Sequence, residues 1–183
     1  MDNCAQNYIR FKNGVEGAFD EIMNELFHSL VFFINRYVRD VHTAEDLAID
    51  TFSDLVVHKN RYNFKVSLKT YLFMLGRSRA LDYMRRNRKA DVASLSEIAE
   101  VSDDAALLEE KVLADERKRA VSGAIGQLPQ DMRDAVHLIY FEDLTYDEAA
   151  KVMKKKYKQV DNLLQRAKKE LREILGEEGK LLL

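Results

Sequence analysis

Apolar residues recur every three or four positions along most of the chain, which is the spacing of one face of an α-helix. The longest such stripe predicts a helix that continues to about Arg39. Its members are Phe19, Ile22, Leu26, Leu30, Phe33 and Tyr37. Seven glycines and a single proline leave little punctuation for strands. The sequence therefore predicts an all-α protein.

Two more helices are predicted in the first half of the chain. The first opens at Thr43, whose side chain can accept the backbone amide proton of Asp46. Opposite its apolar stripe lies a row of acids spaced four residues apart, namely Asp46, Asp50 and Asp54. A loop over residues 58–66 leads to the next helix, which Ser67 caps. Apolar residues lie around more than one side of that helix, so we expect it to pack against several neighbours.

The second half of the chain has its own helical pattern. A helix is predicted over residues 115–127, and Pro129 suits the first position of the next one. Thr145 and Glu148 have the spacing of a capping box at the start of a short helix. A turn rich in lysine then leads to a last helix from about Lys156. The residues expected to be buried include Ala135, Val136, Leu138, Ile139, Phe141, Val160, Leu164, Ala167 and Ile174.

A polar and acidic stretch separates these two sets of helices. Residues 90–113 predict only fragmentary helix near their end, because they carry no continuous apolar stripe. We therefore expect two small helical domains, over residues 1–89 and 114–183, joined by a flexible acidic linker over 90–113.

The net charge of −2 averages over segments of opposite sign. Residues 59–89 hold ten cations and one acid, and residues 151–172 hold nine cations and two acids. Between them, residues 91–110 hold seven acids and no cation. Basic blocks attract phosphates. Two basic surfaces separated by an acidic segment favour a nucleic-acid ligand over two solvated helix faces.

The second basic block has the form of a helix-turn-helix. A short capped helix, a turn of lysines and a longer helix are arranged so that the longer helix can enter the major groove of DNA. Asn and Gln can pair with adenine, Arg and Lys with guanine, and the turn lysines can neutralise phosphates. The candidate residues are Lys154, Lys155, Lys156, Lys158, Gln159, Asn162 and Arg166. The alternative is the solvated side of an ordinary amphipathic helix.

Several kinds of function find no support in the residues. No run approaches the ~20 uninterrupted apolar residues of a membrane span, and the chain does not start like a secretory signal, so we expect a cytoplasmic protein without membrane insertion. A lone Cys4 and four histidines without paired spacing predict no disulfide and no metal site. No Ser/His/Asp arrangement or nucleotide-binding loop is present, so we expect neither catalytic residues nor a cofactor.

Four stretches, in this order, resemble the extracytoplasmic-function (ECF) group of bacterial RNA polymerase sigma factors. "TAEDLAIDTFSDLV" resembles the acidic helix of that group's region two, and "SLKTYLFMLGRSRALDYMRR" resembles its promoter-melting helix. "LPQDMRDAVHLIYFEDLTYDEAAKVM" followed by "VDNLLQRAKKELREIL" resembles region four. A helix-turn-helix alone is common among repressors, so the ordered combination carries the resemblance. It extends over residues 18–175.

The resemblance implies a protein that binds core RNA polymerase, recognises the −35 and −10 promoter elements and helps to open the duplex. In this group the acidic helix docks on the clamp coiled coil of the largest catalytic subunit. The corresponding residues are Glu45, Asp46, Leu47, Asp50 and Asp54. An anti-sigma factor is a further expected partner, and no cofactor is implied.

The loop after the acidic helix resembles the group's pocket for a flipped promoter base. Aromatic side chains can stack on an unpaired base while cations hold its backbone. The resemblance implies contacts with downstream promoter DNA from Asn60, Arg61, Tyr62, Phe64, Lys65, Arg77, Ser78, Arg85 and Arg86. Tyr62 and Phe64 have an equally good interpretation as anchors that fasten the loop to the core.

The chain departs from the group's pattern at several positions. Tyr71 replaces a usual Trp, and Ser78 replaces an Asn beside the melting site. Residues 154–156, all lysine, replace a Gly-Ile-Ser-like turn, while Asp161 and Leu163 replace a usual Lys and Arg. The base preference of relatives therefore cannot be copied. The alternatives are a helix-turn-helix regulator or a helical interaction protein, either acting without polymerase.

Overall fold

The computed structural model describes residues 3–93 and 116–176, with side chains over 3–88 and 120–176. Every regular element within those ranges is a helix, so the predicted all-α fold is confirmed. The helices are α1 (Asn3–Lys12), α2 (Ala18–Val38), α3 (Val41–Val57), α4 (Leu68–Ala93), α5 (Glu116–Gln127), α6 (Gln130–Tyr140), α7 (Tyr146–Met153) and α8 (Tyr157–Leu175).

The chain separates into two compact units, one containing α1 to α4 and the other α5 to α8. Helix α4 continues to Ala93, four residues beyond the end expected for the first domain. The remainder of the predicted linker, with its fragment of helix at 105–113, lies outside the described residues.

In the first unit, α2 is the central helix and packs against α1, α3 and α4. Its predicted stripe is buried from Ile22 to Tyr37. The ring of Phe33 lies 5.0 Å from that of Phe73 on α4. Gly76 brings α4 close to α2, because a Cβ at this position would lie only 2.8 Å from the end of the Leu30 side chain. As expected, α4 has several packing partners.

Helix α1 was not predicted. It is ten residues long and buries Cys4, Ala5, Asn7 and Tyr8. One of these is an amide and two are small, so the buried side does not form an apolar stripe that periodicity can detect. Tyr8 alone supplies a large buried ring.

The predicted cap of α3 was wrong by three residues. Asp40, not Thr43, is the cap: its carboxylate accepts the Thr43 amide proton at 2.9 Å, and the Thr43 hydroxyl donates to the same oxygen. These hydrogen bonds hold the pKa of Asp40 below its usual range. Thr43 therefore lies inside the first turn, because a carboxylate three residues earlier already satisfies its amide.

In the second unit, α8 packs against α5, α6 and α7. Leu138, Ala149, Val160 and Ala167 have essentially no exposed surface. Two residues expected in this core are instead exposed, because Phe141 follows the last residue of α6 and Ile174 lies in the last turn of α8. Pro129 also precedes α6 instead of being its first residue.

Candidate DNA and polymerase interfaces

The predicted helix-turn-helix is formed by α7, a tight turn and α8. Thr145 caps α7 by accepting the Glu148 amide proton at 3.3 Å, and the Glu148 carboxylate accepts the Thr145 amide proton at 3.0 Å. Lys154 caps the C-terminus of α7, and its backbone is left-handed at φ 54° and ψ 44°. A residue in this conformation reverses the chain sharply, so α8 begins only three residues later, at Tyr157.

The three lysines of the turn differ in their surroundings. Lys154 and Lys156 are exposed, whereas the half-buried Lys155 places its Nζ 3.0 Å from the carboxylate of Asp131. Lys155 thus fastens the turn to α6. Lys154 and Lys156, together with the exposed Lys158, are the cations best placed to meet phosphates.

The exposed side of α8 contains most of the base-reading residues predicted from the sequence. Asn162 and Arg166 are exposed and lie one turn apart. Gln159 is also exposed, but its side-chain oxygen accepts the Lys156 amide proton at 2.8 Å and so closes the N-terminus of the helix. Asp161 and Leu163 are only partly exposed. Asn162 and Arg166 are therefore the stronger candidates for base contacts.

Two exposed residues of α8 were missed by the sequence analysis. Tyr157 is its first residue, and its ring lies 5.4 Å from that of Tyr146 at the start of α7. Gln165 is exposed one turn after Asn162. The signal for Tyr157 was its position, since the first residues of a recognition helix contact base edges.

Helix α3 presents a mixed acidic and apolar face. Glu45, Asp46 and Asp50 are exposed, while Leu47 is half-buried. Ile49 and Val57 extend this face, and Val57 is 71% exposed. Beside it lies an apolar groove of about 270 Å³ between α2 and α3, lined by Phe19, Met23, Ile49, Phe52, Ser53, Val56 and Val57. A partner that covered this face would gain apolar burial as well as ion pairs.

Asp54 does not continue the exposed acidic row. Its side chain is only 15% exposed, and its carboxylate lies 3.2 Å from Arg61, 3.5 Å from His58 and 3.9 Å from Arg79. The four-residue spacing is as predicted, but the α3–α4 side of the unit supplies cations that enclose this last acid. Asp54 is therefore less accessible to a partner than Asp46 and Asp50, the other acids predicted in this row.

In the loop over residues 58–66, the two aromatic residues differ in their exposure. The sequence had left two roles open for both of them, as anchors to the core or as contacts for a DNA base. Tyr62 is 2% exposed, its hydroxyl donates to the Val66 carbonyl at 2.8 Å, and its ring lies 5.2 Å from that of Tyr71. Tyr62 is thus an anchor in this structure. Phe64 is 38% exposed and has a left-handed backbone at φ 61°. Only Phe64 offers an accessible aromatic surface.

The other candidates for downstream DNA fall into exposed and tethered groups. Asn60, Lys65 and Arg86 are exposed, as is Arg85, whose guanidinium lies 2.9 Å from Asp82. Arg77 is partly buried and donates from Nε to the Tyr37 hydroxyl at 3.0 Å. Ser78, on the next position of α4, is also partly buried. The exposed members are available to a nucleic-acid backbone without rearrangement.

The described residues contain neither a membrane-spanning helix nor a metal-binding cluster. No helix among them has both the length and the apolar character needed to cross a membrane. Within residues 3–93 and 116–176, no three His, Cys, Asp or Glu side chains form a group that could hold a metal ion.

Comparison with known proteins connects both units to one family. Residues 23–90 match sigma-70 region 2, and residues 118–171 match sigma-70, region 4. The first match contains α3, the loop and most of α4, and the second contains the helix-turn-helix. Both predicted DNA surfaces thus lie within the matched regions.

Individual relatives agree with this result. The chain is 28% identical over 155 residues to the ECF RNA polymerase sigma factor SigM of Bacillus subtilis (strain 168), covering 85% of this chain and 93% of that protein. It is 30% identical over 152 residues to the RNA polymerase sigma-H factor of Pseudomonas aeruginosa, covering 79% of each. Its fold is similar to that of the sigma factor RpoE from Bartonella quintana, which was solved in complex with the anti-sigma factor NepR. The TM-score is 0.67 and the sequence identity 20%, and the match covers 88% of this chain and 98% of that one. The chain belongs to the sigma-70 family of RNA polymerase sigma factors and, within it, to the extracytoplasmic-function group.

Proposed function

We propose that this sigma factor, which directs RNA polymerase to promoters, divides that task among three surfaces. The polymerase face comprises five exposed residues of α3, namely Glu45, Asp46, Ile49, Asp50 and Val57. The recognition surface comprises α8 and the lysine turn before it. The strand loop comprises residues 58–66 and is named for the separated DNA strand that it is proposed to bind. The exposed cations of α4 extend its surface. The protein acts in the cytoplasm as a non-catalytic initiation factor. Its two domains extend over residues 1–89 and 114–183.

The polymerase face suits a cationic partner helix. Its acids supply charge that attracts such a partner over a distance, while Ile49 and Val57 supply apolar area that becomes buried on contact. Exposed ion pairs contribute at most about 1 kcal/mol each, so the acids alone would give weak binding. The combination supports docking on the clamp coiled coil of core polymerase.

The recognition surface suits the major groove of the upstream promoter element. Asn162 can pair with adenine and Arg166 with guanine, since both are exposed and a single turn apart. Lys154, Lys156 and Lys158 lie where phosphates flank an inserted helix. Tyr157 adds an apolar ring edge that suits a thymine methyl group. The exposed side of α8 is the observation that carries the functional proposal.

The strand loop suits the separated strand of the downstream element. Phe64 presents a ring on which an unpaired base can stack, and Arg61, three positions earlier in the loop, is an exposed cation. Extracting a base from the duplex costs a few kcal/mol, and an exposed ring offsets part of that cost by stacking. Strand capture at this loop would therefore favour the open duplex.

An anti-sigma factor is a further proposed partner. The polymerase face leaves Val57 and Ile49 exposed in the isolated chain, and an exposed apolar patch marks a site of protein association. An anti-sigma factor that covered this face would keep the chain from core polymerase. In a competition experiment, such a protein and core polymerase should exclude each other.

Reconstituted transcription tests the proposed function. The purified chain is added to core polymerase on genomic promoter fragments, and run-off products are compared with those from core polymerase alone. New transcripts that require the chain support the proposal. A helix-turn-helix regulator would instead bind its DNA without polymerase, and a helical interaction protein would select no DNA at all.

A further inference from the structure

Helix α1 fastens the strand loop from the side of the chain that precedes it. Tyr8 has no exposed surface, and its hydroxyl points at two backbone carbonyls, at 2.9 Å from that of Lys59 and 3.3 Å from that of Leu55. Leu55 belongs to the last turn of α3, and Lys59 is the second residue of the loop. The carbonyls at the end of a helix lack partners within it, so Tyr8 supplies a donor where α3 gives way to the loop.

Ring contacts extend the same attachment. The Tyr8 ring lies edge-on to that of Tyr62 at 5.3 Å and 6.2 Å from that of Phe64. Phe11 lies one turn later on α1, and the ammonium group of Lys59 lies over its ring, 4.3 Å from the ring centre. A tyrosine hydroxyl is already a protonated donor at neutral pH. Burial raises the pKa of Tyr8 to about 12, so this donor persists in alkaline solution as well. Helix α1 thus holds the loop by its backbone and by its side chains.

The loop needs such support because Phe64 has an unfavourable backbone. A left-handed conformation at φ 61° is uncommon for a bulky residue without glycine's freedom. Such a conformation persists only when its surroundings enforce it, and it occurs often at sites that hold a ligand. The enforcing contacts are those of Tyr62, 4.6 Å from Phe64, which Tyr8 supports in turn.

We propose that Tyr8 is a positioning residue for the strand loop: it holds Phe64 in its exposed left-handed conformation, ready for an unpaired promoter base before DNA arrives. The inference rests on the proposed role of the loop. It assigns a function to α1, which lies before residue 23, where the match to sigma-70 region 2 begins. Preorganisation of this kind improves binding because the loop loses less freedom when the base is captured.

The test uses Tyr8→Phe, which keeps the ring and removes the hydroxyl, in holoenzyme assembled from the full chain. The probe is a fluorescent single-stranded oligonucleotide carrying the downstream element that the unmodified holoenzyme selects from a random library. We expect Tyr8→Phe to bind it about fivefold more weakly, as for the loss of one hydrogen bond. Binding to core polymerase and to duplex DNA with the upstream element should not change.

A double-mutant cycle with Phe64→Ala shows whether Tyr8 acts through the loop. If it does, Tyr8→Phe should cause little further loss once Phe64→Ala is present, because the two changes share one interaction. Independent, multiplying losses would overturn the inference. So would full binding by Tyr8→Phe when Phe64→Ala binds weakly. Full binding by Phe64→Ala would overturn the proposed role of the loop and this inference with it.

Phe33→Leu is the matched control for a general loss of stability. Phe33 is buried between α2 and α4 and forms no part of the loop or of either DNA surface. At a temperature where both variants are equally folded by circular dichroism, only Tyr8→Phe should bind the oligonucleotide less well. An equal loss for Phe33→Leu would assign Tyr8 a merely structural role and overturn the inference.

Discussion

The carboxylate of Asp54 lies 3.2 Å from the guanidinium of Arg61, which joins the last turns of α3 to the strand loop. His58 and Arg79 approach the same oxygen at 3.5 and 3.9 Å. A carboxylate shared in this way restricts the side-chain conformations of the arginines around it. Asp54 therefore lies beside the proposed strand loop, although its spacing along α3 is that of the acids on the proposed polymerase face.

Asp54→Asn should separate these two surfaces. The change keeps the side chain's shape and removes the charge that holds Arg61 and Arg79. Because a partly exposed pair is worth at most about 1 kcal/mol, we expect open-complex formation to fall by up to roughly fivefold. Permanganate footprinting measures this, and core-polymerase binding should remain unchanged. A loss of core binding instead would return Asp54 to the polymerase face.

Reversing the charge of Asp46 and Asp50 to lysine should weaken binding to core polymerase. Two exposed ion pairs together contribute up to about 2 kcal/mol, so the dissociation constant should rise by up to roughly thirtyfold at low salt. Fluorescence anisotropy with labelled chain measures it. Glu16→Lys with Glu25→Lys is the control, since it changes the net charge equally at exposed positions outside α3. Equal affinity for the two double variants would exclude this face.

Asn162→Ala and Lys154→Ala should affect promoter recognition differently. Loss of a base contact should cost about 1–3 kcal/mol at one upstream position and relax the preference there. Loss of a phosphate contact should weaken all sequences alike and reduce the slope of log affinity against log salt by about one. Selection from a random library by each holoenzyme tests this. An unaltered selected sequence for Asn162→Ala would mean that α8 lies differently in the groove.

The Asp40 cap should make the stability of the first unit depend on acid pH. Because the Thr43 hydrogen bonds lower the pKa of Asp40, they contribute stability above about pH 4 and lose it as pH falls through the lowered value. Asp40→Ala should thus lower the melting temperature at neutral pH, and the difference should shrink in acid. Asp40→Asn retains a neutral cap and serves as control. A difference that is constant with pH would contradict the assignment.

Long apolar stripes were predictable from the sequence, whereas the local ends of helices were less so. The α2 stripe exceeds five turns and can be buried in only one way. The sequence pattern placed the cap of α3 at Thr43, whereas the carboxylate of Asp40, three residues earlier, caps the helix in the structure. Helix α1 was not predicted because its buried side includes Asn7 and small residues.

The candidate sites were predictable as stretches but not residue by residue. Tyr62 and Phe64 are both aromatic and two positions apart, and only packing against Tyr8 and Tyr71 decides which one is buried. The outward direction of Asp46 and Asp50 followed from helical spacing. Two of the neighbours that enclose Asp54 come from other elements, Arg61 from the loop and Arg79 from α4, so spacing within α3 could not reveal them.

Lys154 occupies a position at which glycine would make the fold more stable. A left-handed residue with a side chain is less stable than glycine by about 1 kcal/mol, and helices commonly end at glycine in this conformation. Lys154→Gly should therefore raise the melting temperature of the second unit while weakening promoter binding by the holoenzyme. If both changes occur, this single residue exchanges folding stability for affinity, and a selection for thermal robustness alone would tend to remove it.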